Sequence, residues 1–220
     1  MYKIIKRVFD FIISLLAILV LLPFMIPIII LLLLTGEHEV FYKQKRIGYH
    51  NKPFLIWKFA TMLKASPTMG TGEITLRNDP RLLPMGKFLR MSKINELPQL
   101  INILIGEMSI VGPRPLMQVS FNQYAEDVQA KIYNSKPGLT GIASIIFRDE
   151  EAMVSGSNLE PAVFYKQFIF PYKAELELWY LKHASMLTDV KIIFLTAWSI
   201  FFPENKLAKK FFPNLPVRNF

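Results

Sequence analysis

The chain has 220 residues and no cysteine, 52% of its residues are apolar, and its formal net charge is +9. The apolar content excludes a disordered basic tail. The absence of cysteine from the sequence excludes a disulfide scaffold, a Cys-ligated metal site and thiol catalysis. A chain of this length forms one domain, with room for a small appendage.

An uncharged apolar segment runs from Phe11 to Leu34 and follows the basic residues Lys3, Lys6 and Arg7. At about 1.5 Å per residue, a helix of this length can cross a hydrocarbon core about 30 Å thick. The alternatives are a cleaved signal peptide and a buried core helix. However, the segment is longer than a typical signal-peptide core, and no small-x-small cleavage site follows it. We therefore predict a membrane segment.

Two prolines, Pro23 and Pro27, lie in the middle of this segment. Each removes an amide donor and clashes with the carbonyl group four residues before it, so we expect a kink. Basic residues flank the segment on both sides, and the positive-inside rule places both flanks in the cytoplasm. A re-entrant helix that bends at Pro23 and returns satisfies this rule, whereas a straight span does not. A kinked spanning helix is the alternative.

For the chain as a whole we expect an α-rich α/β fold, with a membrane helix at residues 1–36 and one membrane-facing domain at residues 37–220. Apolar residues that recur at helical spacing predict two helices within residues 85–105, which meet near Ser92 or Asn95. The other predictions are strands at 41–48 and 53–62, a loop at 64–81, helices at 119–135 and 162–181, an apolar stretch at 188–202, and connectors at 106–116 and 136–141.

Motifs that define a site on their own, such as GxxxxGK[ST], GxGxxG and HExxH, are absent from the sequence. The segment SKINELPQL (92–100) can be explained as a plain helix start, with Asn95 as the N-cap and Glu96 at the positive helix end. In VGPRPL (111–116), two prolines hold Arg114 stiffly. This suits bidentate phosphate binding, and it also suits an ordinary turn with a surface arginine.

Together these segments resemble the bacterial sugar transferases of the monotopic phosphoglycosyl transferase family, in their small core form. The resemblance covers nearly the whole chain and is carried by KRVFDF, KFATM, DPRLLPMGKFLRMSKINELPQLINILIGEMSIVGPRPL and KPGLTG. It implies transfer of a sugar-1-phosphate from a UDP-sugar to undecaprenyl phosphate, with release of UMP. This reaction initiates the assembly of bacterial polysaccharides or glycoconjugates. Which sugar is transferred cannot be read from these residues.

The resemblance also implies where the protein works. The family's N-terminal helix is re-entrant and broken at a proline, which favours the re-entrant form here. The catalytic domain is then expected on the cytoplasmic face of the bacterial inner membrane. The expected partners are the UDP-sugar donor, the undecaprenyl phosphate acceptor, membrane lipids, a second copy in a homodimer, and downstream glycosyltransferases.

Individual residues receive roles from the same resemblance. In the family, an Asp-Glu pair opens a helix. The Asp attacks the donor's β-phosphate to form a covalent intermediate, and the Glu helps to bind Mg²⁺. Glu96 matches that glutamate and is expected to be catalytic and metal-binding. The matches to the phosphate- and substrate-binding positions are Lys58, Arg90, Arg114 and Arg148.

The nucleophile position departs from the family, because Asn95 stands where the family has its Asp. A neutral amide is a poor nucleophile, and four explanations are open. Glu96 attacks instead, or transfer is direct and Asn95 orients substrate. Otherwise the chain is an engineered trapped form, or it is a binding protein that has lost catalysis. We expect Glu96 to be indispensable under either of the first two explanations.

Two other classes of function fit parts of the sequence. A non-enzymatic membrane scaffold would keep the membrane segment and the basic surface, but it would have no use for Glu96 and Arg114 together. A nucleic-acid-binding protein is suggested by the net charge of +9 alone. No recognised nucleic-acid-binding motif is present in the sequence, and anionic lipid head groups explain part of the positive charge. We therefore expect no nucleic-acid partner.

Overall fold

The structure is a computed structural model that describes residues 1–69, 79–202, 207–218 and 220. The described residues form a helix-rich α/β fold with two separate two-stranded sheets, as expected from the sequence. The helices are α1 (Tyr2–Leu34), α2 (Gly86–Met91), α3 (Gln99–Ile105), α4 (Gln118–Phe121), α5 (Glu126–Ile132), α6 (Ile142–Ile146), α7 (Glu150–Ser155), α8 (Pro161–Phe164), α9 (Phe170–His183), α10 (Met186–Phe201) and α11 (Leu207–Phe211). The strands are β1 (Phe41–Ile47), β2 (Pro53–Phe59), β3 (Ser109–Val111) and β4 (Gly138–Thr140).

Helix α1 is the apolar element expected at the N-terminus. Among the described residues, it is the one helix that is long and apolar enough to cross a membrane, and only 11% of its apolar window is buried. Leu19, Val20 and Phe24 each expose more than half of their surface, at 59%, 65% and 68%. A contiguous apolar surface of this kind marks a contact with a membrane or a partner. The helix is therefore compatible with a membrane anchor.

The N-terminal part of α1 is joined to the rest of the chain by polar contacts. The Asp10 carboxylate accepts a hydrogen bond of 3.0 Å from the backbone N–H of Ile110. Lys6 forms a 2.6 Å ion pair with Asp189 on α10. Arg7 donates hydrogen bonds of 2.7 and 2.8 Å to two carbonyl oxygens in the last turn of α3, where helix carbonyls lack partners. These contacts fix the start of α1 against the domain.

The C-terminal half of α1 contacts the same domain through apolar side chains. Met25 and Leu32 belong to one buried cluster with Phe59 on β2 and Leu89 on α2. Leu32 is only 2% exposed, although its neighbours on the other face of the helix are open. Both ends of α1 therefore contact one body, which constrains how the helix can enter a membrane.

The first sheet joins the two strands predicted at 41–48 and 53–62 into a hairpin. Strands β1 and β2 pair antiparallel from Phe41 opposite Phe59 to Ile47 opposite Pro53. The turn between them carries two residues in the left-handed region, His50 and Asn51, with φ values of 54° and 57°. The pairing brings Lys58, near the end of β2, against the interior of the domain.

The main hydrophobic core lies where α9 and α10 pack on the second sheet and on α3. Ile103, Met108, Ile142, Leu176 and Ile192 are all completely buried in it. Burial of side chains of this size contributes about 1.5–3 kcal/mol each. The core thus fixes α3 and the loop after β3, which both carry candidate site residues.

Some predicted elements differ from the observed ones. The predicted pair of helices within 85–105 is confirmed as α2 and α3. The single helix predicted at 119–135 is wrong, because α4 ends at Phe121 and α5 begins at Glu126. Between them the buried ring of Tyr124 packs edge-on against Phe170 of α9, at 5.9 Å between ring centroids. Residues 70–78 of the predicted loop lie outside the described residues.

The two predicted connectors each contain a three-residue strand, β3 and β4, and these strands pair in parallel. Strands this short carry no alternating pattern, and the pairing joins segments that are distant in sequence. The prediction of plain loops therefore missed the second sheet.

Candidate active site

The site is built on a close approach between the VGPRP and KPGLTG segments. A Cβ atom on Gly138 would lie 2.2 Å from the backbone nitrogen of Gly112, and a Cβ atom on Gly141 would lie 2.4 Å from the Gly112 carbonyl oxygen. No side chain fits at these distances, so glycine is required where the two backbones meet. This contact sets the position of the loop that follows β3.

The loop after β3 is also held by two side chains, Glu177 on α9 and Tyr133 just after α5. The backbone N–H of Arg114 donates to Oε1 of Glu177 on α9, at 3.1 Å. The carbonyl oxygen of Arg114 accepts a hydrogen bond of 2.8 Å from the hydroxyl group of Tyr133, which itself accepts one of 2.9 Å from the N–H of Leu116. The flanking prolines restrict the backbone further. The guanidinium of Arg114 therefore projects from a backbone with fixed orientation.

The centre of the site is the carboxylate of Glu96. Its Oε1 atom lies 2.9 Å from Nη2 of Arg114 and 4.0 Å from Nζ of Lys58. The side chains of Glu96 and Lys58 are 13% and 16% exposed, so both are largely shielded from water. Three segments that are distant in sequence thus place two cations around one carboxylate.

Burial and neighbouring charges together shift the pKa values of Lys58 and Glu96. Burial lowers the pKa of Lys58 to about 7, although the carboxylate of Glu96 acts in the opposite direction. Burial tends to raise the pKa of Glu96, but the charges of Arg114 and Lys58 outweigh it and hold that pKa well below the usual range. Glu96 is therefore ionised at physiological pH, while Lys58 is poised to gain or lose its proton.

The two other predicted phosphate-binding residues lie in different positions. Arg90 on α2 is near enough for its charge to lower the pKa of Lys58, and its Nη1 atom lies 3.8 Å from Sδ of Met62. Arg148 follows α6 and donates a 3.1 Å hydrogen bond to Ser199 on α10. Within the described part of the chain, no hydrogen bond or ion pair joins Arg148 to the carboxylate of Glu96.

Asn95 is buried, with 5% of its surface exposed. Its Oδ1 atom has no hydrogen-bond partner among the described residues, and its side chain caps neither the turn at Ile94–Glu96 nor helix α3. The explanation of Asn95 as an N-cap is therefore wrong. The residue before the turn, Lys93, has φ of 61°, a left-handed conformation that costs about 1–2 kcal/mol for a residue with a side chain.

Sequence reasoning missed three residues of the site. Arg46, Gln99 and Glu177 were not singled out, although Glu177 holds the backbone of Arg114. A recess beside the Glu96 carboxylate, here called the basic recess, is lined by Arg46, Ile56, Lys58, Gln99, Arg114 and Pro115. The alternation of side chains along the predicted strands could have placed Arg46 on the same side of the sheet as Lys58. No local sequence pattern predicts that Glu177 belongs to the site.

A divalent cation was expected at Glu96. Within the described ranges, no group of three or more His, Asp or Glu side chains is arranged to hold a metal. Mg²⁺ is usually bound by one or two carboxylates together with substrate phosphates, rather than by a cage of protein ligands. The ionised carboxylate of Glu96 and the unpartnered Oδ1 of Asn95 are hard oxygen donors of the type that Mg²⁺ prefers. The donor set therefore fits such an ion when substrate supplies the remaining oxygens.

Comparison with known proteins agrees with this arrangement. A family model described as bacterial sugar transferase matches residues 1–203. The UDP-glucose:undecaprenyl-phosphate glucose-1-phosphate transferase of Escherichia coli (strain K12) is 33% identical over 208 residues, which cover 94% of this chain and 42% of that protein. The undecaprenyl-phosphate galactose phosphotransferase of Salmonella typhimurium (strain LT2) is 31% identical over 209 residues, covering 89% of this chain and 40% of that protein.

A third relative is similar to this chain in length. The exopolysaccharide production protein ExoY of Sinorhizobium fredii is 32% identical over 206 residues, which cover 87% of this chain and 83% of that protein. The chain thus spans less than half of the two transferases above and most of this relative. The protein belongs to the bacterial sugar transferase family.

Proposed function

We propose that the protein transfers a sugar-1-phosphate from a UDP-sugar to undecaprenyl phosphate, releases UMP, and so initiates polysaccharide or glycoconjugate assembly. The observation that carries this proposal is the partly buried Glu96 carboxylate held between Arg114 and Lys58. The relatives' names support the reaction class. They specify glucose in one case and galactose in another, so the sugar is left open. Downstream glycosyltransferases would extend the lipid-linked product.

The cations of the site suit two anionic substrates. Arg114, Lys58 and Arg90 offer guanidinium and ammonium groups, and arginine binds phosphate in a bidentate way. A diphosphate bound beside Lys58 stabilises the charged form of that side chain, which burial alone disfavours. Binding of the donor therefore converts Lys58 into a full positive charge at the place where charge develops on the phosphate. Arg148 would contribute only if α10 lies close to the bound substrate.

Glu96 acts as a nucleophile or as a ligand, and not as a general base. Its pKa lies far below neutral pH, which makes it a weak proton acceptor. In the covalent route, an oxygen of Glu96 attacks the β-phosphorus and the bond to the UMP oxygen breaks. An oxygen of the lipid phosphate then attacks the phosphosugar-enzyme and releases Glu96. In the direct route, the lipid phosphate oxygen attacks and Glu96 and Asn95 hold the donor.

The two routes differ in one observable species. Incubation with a sugar-labelled UDP-sugar in the absence of lipid gives labelled protein by the covalent route only. The label is then lost in Glu96→Gln. In the direct route, the protein stays unlabelled but still transfers label to lipid when undecaprenyl phosphate is added. Mg²⁺, held by Glu96 and Asn95, would neutralise charge on the diphosphate.

The placement of α1 supports a re-entrant helix. We propose that it bends at Pro23 in the membrane, although Tyr2–Leu34 is one continuous helix in the structure, with Pro23 inside it. Asp10 and Leu32 contact the same domain from opposite ends of the helix. A helix that crosses the membrane separates its ends by the full bilayer, whereas a helix that enters and returns keeps both ends on one face. We accordingly divide the chain into a membrane helix at 1–36 and a catalytic domain at 37–220 on the cytoplasmic face of the inner membrane.

The cysteine-free sequence allows a direct test of this topology. Single cysteines placed at Lys3 and at Glu37 would be treated with a membrane-impermeant maleimide in right-side-out and inverted vesicles. We expect both positions to react only in inverted vesicles. Labelling of the two positions from opposite sides would establish a spanning helix instead.

The proposed reaction is tested by its lipid product. Purified protein in nanodiscs receives undecaprenyl phosphate, Mg²⁺ and one radiolabelled UDP-sugar at a time. We expect label to enter the organic phase as undecaprenyl-diphospho-sugar with at least one donor. Saturable binding of a UDP-sugar without any transfer would identify a membrane scaffold.

A further inference from the structure

We propose that Arg46 is a further anion-binding residue of this site, and that it holds a phosphoryl group together with Lys58 and Arg114 in the basic recess. The proposal rests on the proposed function, because the phosphoryl group belongs either to the soluble donor or to the lipid acceptor. Neither the segments quoted above for the family resemblance nor the expected site residues include Arg46. Its placement follows from the hairpin and from the loop after β3.

The strand register directs Arg46 toward the site. Tyr42 lies opposite Lys58, and Arg46 lies opposite Phe54. Residues that face each other across an antiparallel pair share one side of the sheet, and side chains alternate along each strand. Arg46 is therefore on the same side as Lys58, while Lys45 points to the other, exposed side. The side chains of Arg46 and Lys58 both line the basic recess.

Hydrogen bonds fix the direction of the Arg46 guanidinium. Its Nε and Nη2 atoms both donate to Oε1 of Gln44, at 3.0 and 2.5 Å, and its Nη1 atom donates to the carbonyl oxygen of Pro115 at 3.3 Å. The next residue, Ile47, donates its backbone N–H to the carbonyl oxygen of Leu116 at 2.8 Å. The hairpin and the Arg114 loop are thus joined along one edge. This places the Arg46 guanidinium beside the basic recess.

The cations converge closely enough to affect one another. Among the positive charges that lower the pKa of Lys58, after burial, Arg46 acts most strongly, ahead of Arg114. The carboxylate of Glu96 offsets part of the repulsion among Arg46, Lys58 and Arg114, but the cations outnumber it, which favours a further anion among them. A phosphoryl group relieves this repulsion and accepts hydrogen bonds from a guanidinium fork. The charge of the recess therefore favours a phosphoryl group over a neutral part of a substrate.

Kinetics of UMP release by Arg46→Gln and Lys45→Gln test the proposal. Both substitutions remove one positive charge from the same strand, but Lys45 faces away from the basic recess. We expect Arg46→Gln to raise the KM of one substrate about tenfold or more, whereas Lys45→Gln leaves both KM values unchanged. A higher KM for the UDP-sugar assigns the phosphoryl group to the donor. A higher KM for undecaprenyl phosphate assigns it to the acceptor.

A direct binding measurement separates this proposal from the proposed function. Calorimetric titration with inorganic pyrophosphate needs no turnover, and thermal denaturation of each variant shows whether it is folded. We expect wild-type protein to bind pyrophosphate, Lys45→Gln to match it, Arg46→Lys to bind more weakly, and Arg46→Gln to bind about tenfold more weakly or worse at an unchanged Tm.

Three results would overturn the role of Arg46. They are no pyrophosphate binding by wild type, equal weakening in Arg46→Gln and Lys45→Gln, and unchanged KM and affinity in Arg46→Gln. A wild-type protein that binds pyrophosphate but releases no UMP would count against the proposed reaction only. The pyrophosphate affinities of wild type, Arg46→Gln and Lys45→Gln would then still show whether Arg46 binds the anion.

Discussion

The Nη2 atom of Arg114 lies 2.9 Å from Oε1 of Glu96, although the two residues are 18 positions apart and lie on opposite sides of α3 and β3 in the chain. The pair is partly buried, and removal of one partner from such a pair leaves an uncompensated charge. The orientation of the carboxylate therefore depends on the loop that carries Arg114. That dependence connects the fold of the second sheet to the chemistry at Glu96.

Replacement of Arg114 by lysine keeps the charge but loses the guanidinium fork. We expect Arg114→Lys to lower kcat/KM for the UDP-sugar by about 10- to 100-fold, because the fork aligns both Glu96 and phosphate. The matched control is Arg218→Lys, which makes the same exchange at an exposed position. Kinetics of UMP release measure both variants. Equal kcat/KM values for Arg114→Lys and wild type would show that the fork has no role.

Donor binding should be linked to proton uptake by Lys58. Its pKa is lowered to about 7, so at pH 8 most free protein carries a neutral Lys58, and a bound diphosphate restores the charge. We expect uptake of about one proton at pH 8 and much less at pH 6, where Lys58 is already protonated. Calorimetry of UDP-sugar binding in buffers of different ionisation enthalpy measures this number.

Two variants check the assignment of that proton. Lys58→Arg keeps a permanent charge and should bind donor without proton uptake. Glu177→Gln removes a second group whose pKa lies near 7 and should leave the uptake unchanged. Uptake that persists in Lys58→Arg would assign the proton to another residue.

Glu177 is expected to destabilise the folded protein at neutral pH. Burial raises its pKa from 4.5 to about 7, although the hydrogen bond from the Arg114 backbone acts in the opposite direction. At pH values between 4.5 and about 7, Glu177 holds a proton in the folded chain that it has lost in the unfolded chain. The free energy of unfolding therefore falls as the pH rises through this range. Glu177→Gln keeps an acceptor for the Arg114 N–H. It should be ~1–3 kcal/mol more stable than wild type at pH 8.

Thermal denaturation of both proteins at pH 8 and pH 5 measures this effect. The stability advantage of Glu177→Gln over wild type should be smaller at pH 5, where wild-type Glu177 is largely protonated in the folded protein. The same difference in Tm between the two proteins at both pH values would show that Glu177 does not titrate in this range.

Gly138 should not tolerate a side chain. The Cβ atom of an alanine would lie 2.2 Å from the backbone nitrogen of Gly112, so the two loops would have to separate. We expect Gly138→Ala to lower the free energy of unfolding by about 1–3 kcal/mol. It should also lower the activity, because the loop that carries Arg114 is displaced. At Gly156, the nearest atom to a new Cβ is 3.1 Å away, which makes Gly156→Ala the milder control. Equal Tm values for Gly138→Ala and wild type would contradict the close approach.

Helical spacing predicted α2 and α3. The family resemblance singled out Glu96, Arg114 and Lys58, which the structure brings together, while their roles stay predictions. The role of Glu177 was not predictable, because its hydrogen bond to Arg114 joins residues 63 positions apart and only the tertiary fold brings them together. The residue type of Asn95 favours a helix cap, whereas in the structure its side chain is buried and caps no helix.

The most direct test of the proposed reaction is UMP release by wild-type protein and Glu96→Gln, purified in nanodiscs with Mg²⁺, undecaprenyl phosphate and a panel of UDP-sugars. Glu126→Gln, at an exposed position on α5, serves as the control. We expect lipid-dependent UMP release with at least one donor by wild type and Glu126→Gln. The rate should be lower by about 10²-fold or more in Glu96→Gln, because a positioned charge of the site is lost. Full turnover by Glu96→Gln would refute the role of this carboxylate.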